Sequence, residues 1–542
     1  MKLSNILRGF SVRALVATGI LSASLIACTK NFELYNTNNT GVSSDQLGPD
    51  FNGLGLYLKS AQMAIYNFSG GGDPNSFQLQ QNLNADCYSG YFMTATNFAS
   101  GVNNTNYGLV TGWNGEPFKV GYLSVMSPIF KLRATGIEKT FPAVWGVALI
   151  VKVAGMSRVT DIYGPIPYSK VGLNLTTVPY DSQEQIYNRF FLELDTAAQY
   201  LRAQIADTKP LPFNFGNFDV VYNGNFTQWL KFCNSLRLRL AMHIRNIAPE
   251  KAKAEAEIAL NPANGGVITD NADNMNVKVG QGFTNPLVFI STIWEDIHIN
   301  ASLQSYLTGY NDPRIAKYMS KSTDDKSAGQ YLGIRIGSAV SKDNYGKYSF
   351  LSKTAFNLNS PVQLMTAAEV YFLRAEAALK GWANAGGSVQ SLYEQGVTAS
   401  MNQWQVPIGD YLSNKDSVMA DYKDPRNSVN DIKKVSTITI KWSESAAEPE
   451  KLERIITQKW LAMFPEGQEA WTEFRRTGYP KLFPVVENKS GGTIDTKIQI
   501  RRLPFPQNEY STNPATVAEG VKLLGNKDEG GTRLWWDTGI NK

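Results

Sequence analysis

Ile186-Tyr187-Asn188-Arg189-Phe190-Phe191-Leu192-Glu193-Leu194-Asp195-Thr196-Ala197-Ala198-Gln199-Tyr200-Leu201 reads as one long amphipathic helix. Its apolar residues Ile186, Phe190, Leu194, Ala197 and Leu201 recur at steps of 4, 4, 3 and 4, which sets them on one helical face. Asp181 or Ser182 stands where an N-cap belongs, with Glu184 or Gln185 at the capping-box position. Downstream, Trp229, Cys233, Leu236, Leu240 and Ile244 repeat the pattern, with Arg237 and Arg239 off the stripe. Leu364, Ala368, Tyr371, Ala375 and Ala378 open another helix, whose small residues let a partner approach closely. Leu452 to Phe464 and Gln468 to Arg476 form a helix-turn-helix around Pro465-Glu466-Gly467, stopped by Gly478 and Pro480.

Helices are also expected at Asn52 to Asn67 and at Ala143 to Gly155, the latter before the turn residues Gly164-Pro165-Ile166-Pro167. Helix pairs with small residues at their crossings suggest tetratricopeptide-type units, whose period is about 34 residues. Here long insertions separate the pairs. The predicted fold is mainly α, a scaffold of tetratricopeptide-like helix pairs carrying two loop-rich excursions, Gly70 to Phe118 and Asn261 to Ser360.

The N-terminus has its own logic. Lys2, Arg8 and Arg13 precede a mostly apolar, uncharged run from Ala14 to Ile26, too short to span a bilayer comfortably. The run ends Leu25-Ile26-Ala27-Cys28, so residues 1–27 read as a lipoprotein signal peptide and Cys28 as the lipidated residue. Two or more buried acyl chains make a lasting anchor, each methylene contributing about 0.8 kcal/mol. The alternative is an ordinary secretory peptide with a chance cysteine. Residues 28–50, polar and Asn-rich, read as a flexible tether, and 51–542 as a single domain.

Composition excludes several classes. With 52 basic and 47 acidic residues and no basic block, nucleic acid is not an expected partner. Besides Cys28 there are only Cys87 and Cys233; Cys233 reads as a small core residue, with a Cys87–Cys233 disulfide as the alternative. The two histidines, His243 and His298, lie far apart with no cysteine at ligand spacing, which excludes a zinc site of the usual Cys/His kind; no metal ligand is assigned and no cofactor is expected. Loop Asp and Asn residues are oxygen donors for calcium, but no loop has EF-hand spacing.

Several ordered motifs carry a family resemblance. They are the Cys28 lipobox, Arg158-Val159-Thr160-Asp161-Ile162-Tyr163-Gly164-Pro165-Ile166-Pro167-Tyr168, and Trp229-Leu230-Lys231-Phe232-Cys233-Asn234-Ser235-Leu236-Arg237-Leu238-Arg239. Ala368-Glu369-Val370-Tyr371-Phe372-Leu373-Arg374-Ala375-Glu376-Ala377, Glu469-Ala470-Trp471-Thr472-Glu473-Phe474-Arg475-Arg476-Thr477-Gly478 and Arg502-Leu503-Pro504-Phe505-Pro506-Gln507-Asn508-Glu509 complete them. In this order they resemble the SusD/RagB family of Bacteroidetes. The resemblance implies a lipid-anchored outer-membrane protein facing the cell exterior, without catalytic activity. It would capture oligosaccharides, or in some members peptides, and deliver them to a SusC-like TonB-dependent barrel. Most of these motifs read as fold markers. Asp161, Gly164 and Pro167 hold a helix–loop corner, and Arg475 and Arg476 pair inside the scaffold.

Two other classes compete with capture. A glycosidase would need two carboxylates flanking the scissile bond; Glu295 and Asp296 are adjacent acids of the kind that usually make a solvated face. The two histidines leave little for a nucleophile–histidine arrangement, and no Gly-x-Ser-x-Gly, His-Glu-x-x-His or phosphate loop is present. A helical-repeat adaptor binding only proteins fits the helix pairs but leaves the aromatic-rich loops unexplained. The ligand site is expected in Asp86 to Asn114, joined by the excursion around Trp294 to His298. Tyr88, Tyr91, Phe92, Trp113 and Trp294 are the candidate stacking rings, and Asp86, Asn103 and Asn114 the candidate hydrogen-bonding groups.

Overall fold

The long periodic stretches form helices that pack in sequence. In the computed structural model, which describes residues 51–65, 74–173, 175–207, 209–280 and 282–539, α1 (Pro142–Tyr163) lies against α2 (Gln183–Ala206). Next, α2 packs on α3 (Phe226–His243), which packs on α4 (Pro249–Leu260). A second group follows: α5 (Ala367–Leu379) against α6 (Val389–Gln403), then α7 (Glu448–Met463) on both, and α8 (Gly467–Thr477) after it. The fold is mainly α, built of tetratricopeptide-like pairs, and Leu54–Lys542 forms one compact unit. Cys28 and the segment 28–50 lie outside the described residues.

Local chemistry starts and stops these helices where the residues require. The Gln185 N–H donates to Ser182 Oγ at 3.2 Å while the Ser182 N–H donates to Gln185 Oε1 at 2.9 Å, a capping box opening α2. Asn225 opens α3 by accepting from the Thr227 and Gln228 N–H groups at 3.0 and 3.1 Å. Gly164, at φ +83°, ends α1 in a conformation a β-carbon disfavours. Between α5 and α6 a β-carbon at Gly396 would lie 2.8 Å from the Phe372 ring, so glycine is what permits this approach.

Helix α1 runs eight residues past the expected Gly155 and is buried at every position from Ala143 to Tyr163. It is long and apolar enough to cross a membrane, but protein covers it on all sides, the usual setting of a helix apolar all round. Helix α3 likewise lacks a solvent face from Phe232 to His243. Arg237 and Arg239, off the apolar stripe, are therefore buried too and end in ion pairs with Asp195, Glu255 and Glu369. Cys87 and Cys233 are both buried free thiols.

The second half of the scaffold is fastened by buried charge. His243 of α3 meets Glu469 of α8 at 3.0 Å; Arg239 meets Glu369 of α5 at 2.6 Å; Arg476 of α8 meets Glu376 of α5 at 2.7 Å. Lys459 of α7 stands 3.4 Å from Glu473 and 3.7 Å from Glu469. His243, Glu469 and Glu473 offer ligand atoms within 4.8 Å of one another. Lys459, Arg239 and Arg476 already bring the positive charge a metal ion would supply, so this donor set is an ion-pair lattice.

Two short ribbons tie the loops down. β1 (Phe92–Thr94) pairs antiparallel with β3 (Ile297–Ile299), Met93 opposite His298. β2 (Met275–Val277) pairs antiparallel with β4 (Val362–Met365), with a register shift between Met275 and Asn276.

Candidate functional site

The β1–β3 ribbon joins the two loop regions expected to form the site, although they are about two hundred positions apart in sequence. Asp296 is the node between them. It accepts hydrogen bonds from Thr96 Oγ1 at 2.7 Å and Gln78 Nε2 at 3.2 Å, and pairs with Lys342 at 2.9 Å. Thr94 Oγ1 adds a bond to the Asp296 carbonyl at 2.8 Å.

Two aromatic pairs adjoin the residues of this node along the chain, Phe98 two positions from Thr96 and Trp294 two positions from Asp296. Phe98 and Trp113 meet edge-to-face, centroids 5.9 Å apart; Phe289 and Trp294 do the same at 5.5 Å. All four rings are half-buried, so each edge-to-face pair fixes its rings while part of their surface stays open. Exposed Val102 and Ile293 lie beside them in sequence. Next to Phe98 the backbone turns left-handed at Ala99, Ser100 and Gly101 (φ +49°, +55° and +80°), and next to Trp294 at Glu295 (φ +55°). Such conformations cost non-glycine residues of order 1 kcal/mol and collect at ligand clamps.

The remaining expected contacts lie deeper. Expected at the surface, Tyr88, Tyr91 and Phe92 sit in the core instead. Tyr88 packs on Trp471 and Tyr107; Tyr91 stacks on Trp460 and donates to its carbonyl; Phe92 rests on Phe464. Asp86 is fully buried, accepting from Gln81 at 3.0 Å and Asn82 at 2.6 Å, and burial raises its carboxyl to about 7 despite those amides. Asn103 and Asn114 are buried and spent on the protein. Asn103 donates to the Phe98 carbonyl at 2.9 Å, and Asn114 accepts from Asn104 at 3.0 Å. Their work is to hold the Phe98 and Trp113 loops. Trp113 and Trp294 keep accessible surface, while Phe98 and Phe289 complete the face without having been singled out. His298, under the ribbon, is held down at about 4 by burial and is neutral.

With this geometry in place, comparison with known proteins is direct. The family model described as SusD-like, SusD and RagB outer membrane lipoprotein, matches residues 34–537. The chain belongs to the SusD/RagB family. A chitin-binding SusD homologue from Flavobacterium johnsoniae is 42% identical with a TM-score of 0.85, covering 90% of this chain and 98% of that one. A SusD homologue from Bacteroides vulgatus is 38% identical with a TM-score of 0.85, covering 91% and 99%. A SusD-like protein from Bacteroides thetaiotaomicron is 32% identical with a TM-score of 0.83, covering 90% and 99%. No curated protein sequence matches the chain. Membership of this outer-membrane lipoprotein family agrees with the helix-pair scaffold and with the motifs that hold it. Asp161, for example, accepts from Tyr187 at 2.7 Å and Trp536 at 2.9 Å at the end of α1.

Proposed function

We propose that this protein captures glycans outside the cell and passes them to a SusC-like TonB-dependent barrel, without catalysing a reaction. Cys28 carries the lipid anchor in the outer membrane, residues 28–50 are the tether, and 51–542 act as one domain. The observation carrying this reading is the two half-buried aromatic couples, Phe98–Trp113 and Phe289–Trp294, next in sequence to the hydrogen-bonded Thr96 and Asp296. Rings held edge-to-face present flat apolar surface next to fixed polar groups, which suits the faces and hydroxyls of sugar rings. The chitin-binding relative supports a glycan as ligand. Glu295 and Asp296 do not form a glycosidase pair across a cleft; Asp296 is engaged by Thr96, Gln78 and Lys342.

The test uses protein beginning after Cys28. It is titrated with chitin oligosaccharides, other polysaccharides and short peptides, and each mixture is then chromatographed. Glycan binding without new products is the expected outcome. Binding of peptides alone would replace the ligand class. New products abolished by Glu295→Gln would overturn the non-catalytic reading.

A further inference from the structure

A cavity of about 180 Å³ opens between Phe77, Asn276, Gln363 and Trp404, with none of the four aromatic rings above in its lining. We infer that it is a separate subsite, taking one neutral sugar unit at the end of a glycan chain; this rests on the glycan-capture reading above. A cavity of this size takes one ring-sized group; an engineered apolar cavity of ~150 Å³ holds benzene. Phe77, Phe356 and Trp404 supply apolar walls, while Asn276, Gln363 and Gln403 supply amides.

The amides are built in. The β2–β4 ribbon sets Asn276 opposite Gln363, and the register shift falls at Asn276, where an irregularity re-aims a side chain. Gln403 Nε2 donates to Gln363 Oε1 at 2.7 Å, and Gln363 Nε2 donates to the Met463 carbonyl at 3.1 Å. An amide has two N–H donors and two oxygen lone pairs, so side chains oriented by these bonds keep capacity for a ligand. The Trp404 indole N–H is buried and has no acceptor among the described residues. That nitrogen is closed off from the cavity, so Trp404 serves the cavity as an apolar wall.

Charge narrows the ligand. Among the described residues Glu466 is the one charged residue lining the cavity, and Arg158 already pairs with it while the Glu469 N–H donates to its other oxygen at 2.7 Å. Among the described residues no lining cation awaits a carboxylate, and the carboxylate there is engaged, so a peptide C-terminus or an acidic sugar meets no counter-charge from them. The short helix Pro286–Thr292 stands between the cavity and the Trp294 pair: Leu287 lines the cavity, and Phe289, two residues on and so on nearly the opposite side of the helix, packs on Trp294. Gln81 lines the cavity and Gln78, one turn earlier, holds Asp296.

The test compares wild type, Trp404→Phe, Asn276→Leu and Trp113→Ala. Each is titrated with a panel of neutral disaccharides that includes the N-acetylglucosamine disaccharide, and is also run through gels containing soluble polysaccharide. Both cavity variants should lose at least tenfold in disaccharide affinity while polymer retention changes less than twofold; Trp113→Ala should weaken polymer retention more than disaccharide binding. Melting curves establish that each variant is folded, and if Trp404→Phe is not, Asn276→Leu carries the comparison. Unchanged disaccharide affinity in the folded cavity variants would overturn the subsite. So would a wild type that retains polymer but binds no disaccharide, an outcome that leaves the capture reading standing. Failure to bind either would remove both.

Discussion

Trp113 and Trp294 differ from Tyr91 in one respect that decides what each can do: solvent reaches the first two. Each exposed ring is expected to add ~1 kcal/mol of stacking, about fivefold in affinity. Trp113→Ala and Trp294→Ala should therefore each weaken glycan binding several-fold by titration, with melting temperatures close to wild type. Tyr91→Phe should behave the other way. Its hydroxyl donates to the buried Trp460 carbonyl, so removing it should cost ~1–3 kcal/mol in urea unfolding and leave affinity unchanged. The sequence placed both kinds of residue in one aromatic-rich loop, and nothing in their order separates them. Tyr88 closes a four-residue helix and Phe92 opens a three-residue strand buried on both faces, so neither shows an inside–outside alternation. Phe98 leaves one usable signal, the small residues Ala99-Ser100-Gly101 that follow it.

Helix α3 makes the same point at larger scale. Its apolar stripe is legible from Trp229 to Ile244, but the charged residues between stripe positions look solvent-facing until the packing of α4, α5 and α8 is known. His243 is the sharpest case. Burial alone would lower its pKa, yet the charge of Glu469 and the hydrogen bonds that the ring donates to Asp161 and Glu469 outweigh that and raise it to about 9. Burial would raise Glu469, and the charges of His243 and Arg239 instead bring it down to about 2. A histidine raised from 6.5 stabilises the fold fully below pH 6.5 and ceases to as pH climbs through about 9. A glutamate lowered from 4.5 stabilises fully above pH 4.5 and ceases to as pH falls through about 2. Both contributions are complete between these bounds. His243→Gln should thus destabilise most at pH 5–6, by ~3–5 kcal/mol for a broken buried pair, and the difference from wild type should shrink as urea unfolding is repeated up to pH 10. A constant difference across that range would show that His243 acts by packing. The long helices were legible because 3.6-residue periodicity accumulates over several turns. The β1–β3 ribbon was not, because strands of three residues carry no period, although both loop regions it joins stood out in the sequence by their aromatic residues.

For the molecule as a whole, the ends of the chain do different work. Anchoring is expected to depend on one residue: Cys28→Ala should move the protein from the membrane fraction to the soluble fraction, and retention without any partner barrel would contradict a lipid anchor. The C-terminal segment instead closes the scaffold. Trp536, fully buried, donates to Asp161 at the end of α1, and Asp537 pairs with Arg501 at 2.7 Å. Arg475 of α8 lies 3.6 Å over the Trp471 ring and donates to the carbonyls of Asp161 and Arg501 at 2.6 and 2.8 Å. The two bonds to Asp161 join groups more than three hundred positions apart, so α1, α8 and the C-terminal segment cannot separate without exposing one another. Trp536→Ala should cost ~3–5 kcal/mol for the emptied volume, and Asp161 would lose one donor as well. If residues 51–542 are one cooperative unit, that loss shifts the whole unfolding transition of this variant, which calorimetry would record as a single peak with matching calorimetric and van't Hoff enthalpies. A split peak, with one component at the wild-type temperature, would mean that part of the scaffold folds without its C-terminal closure.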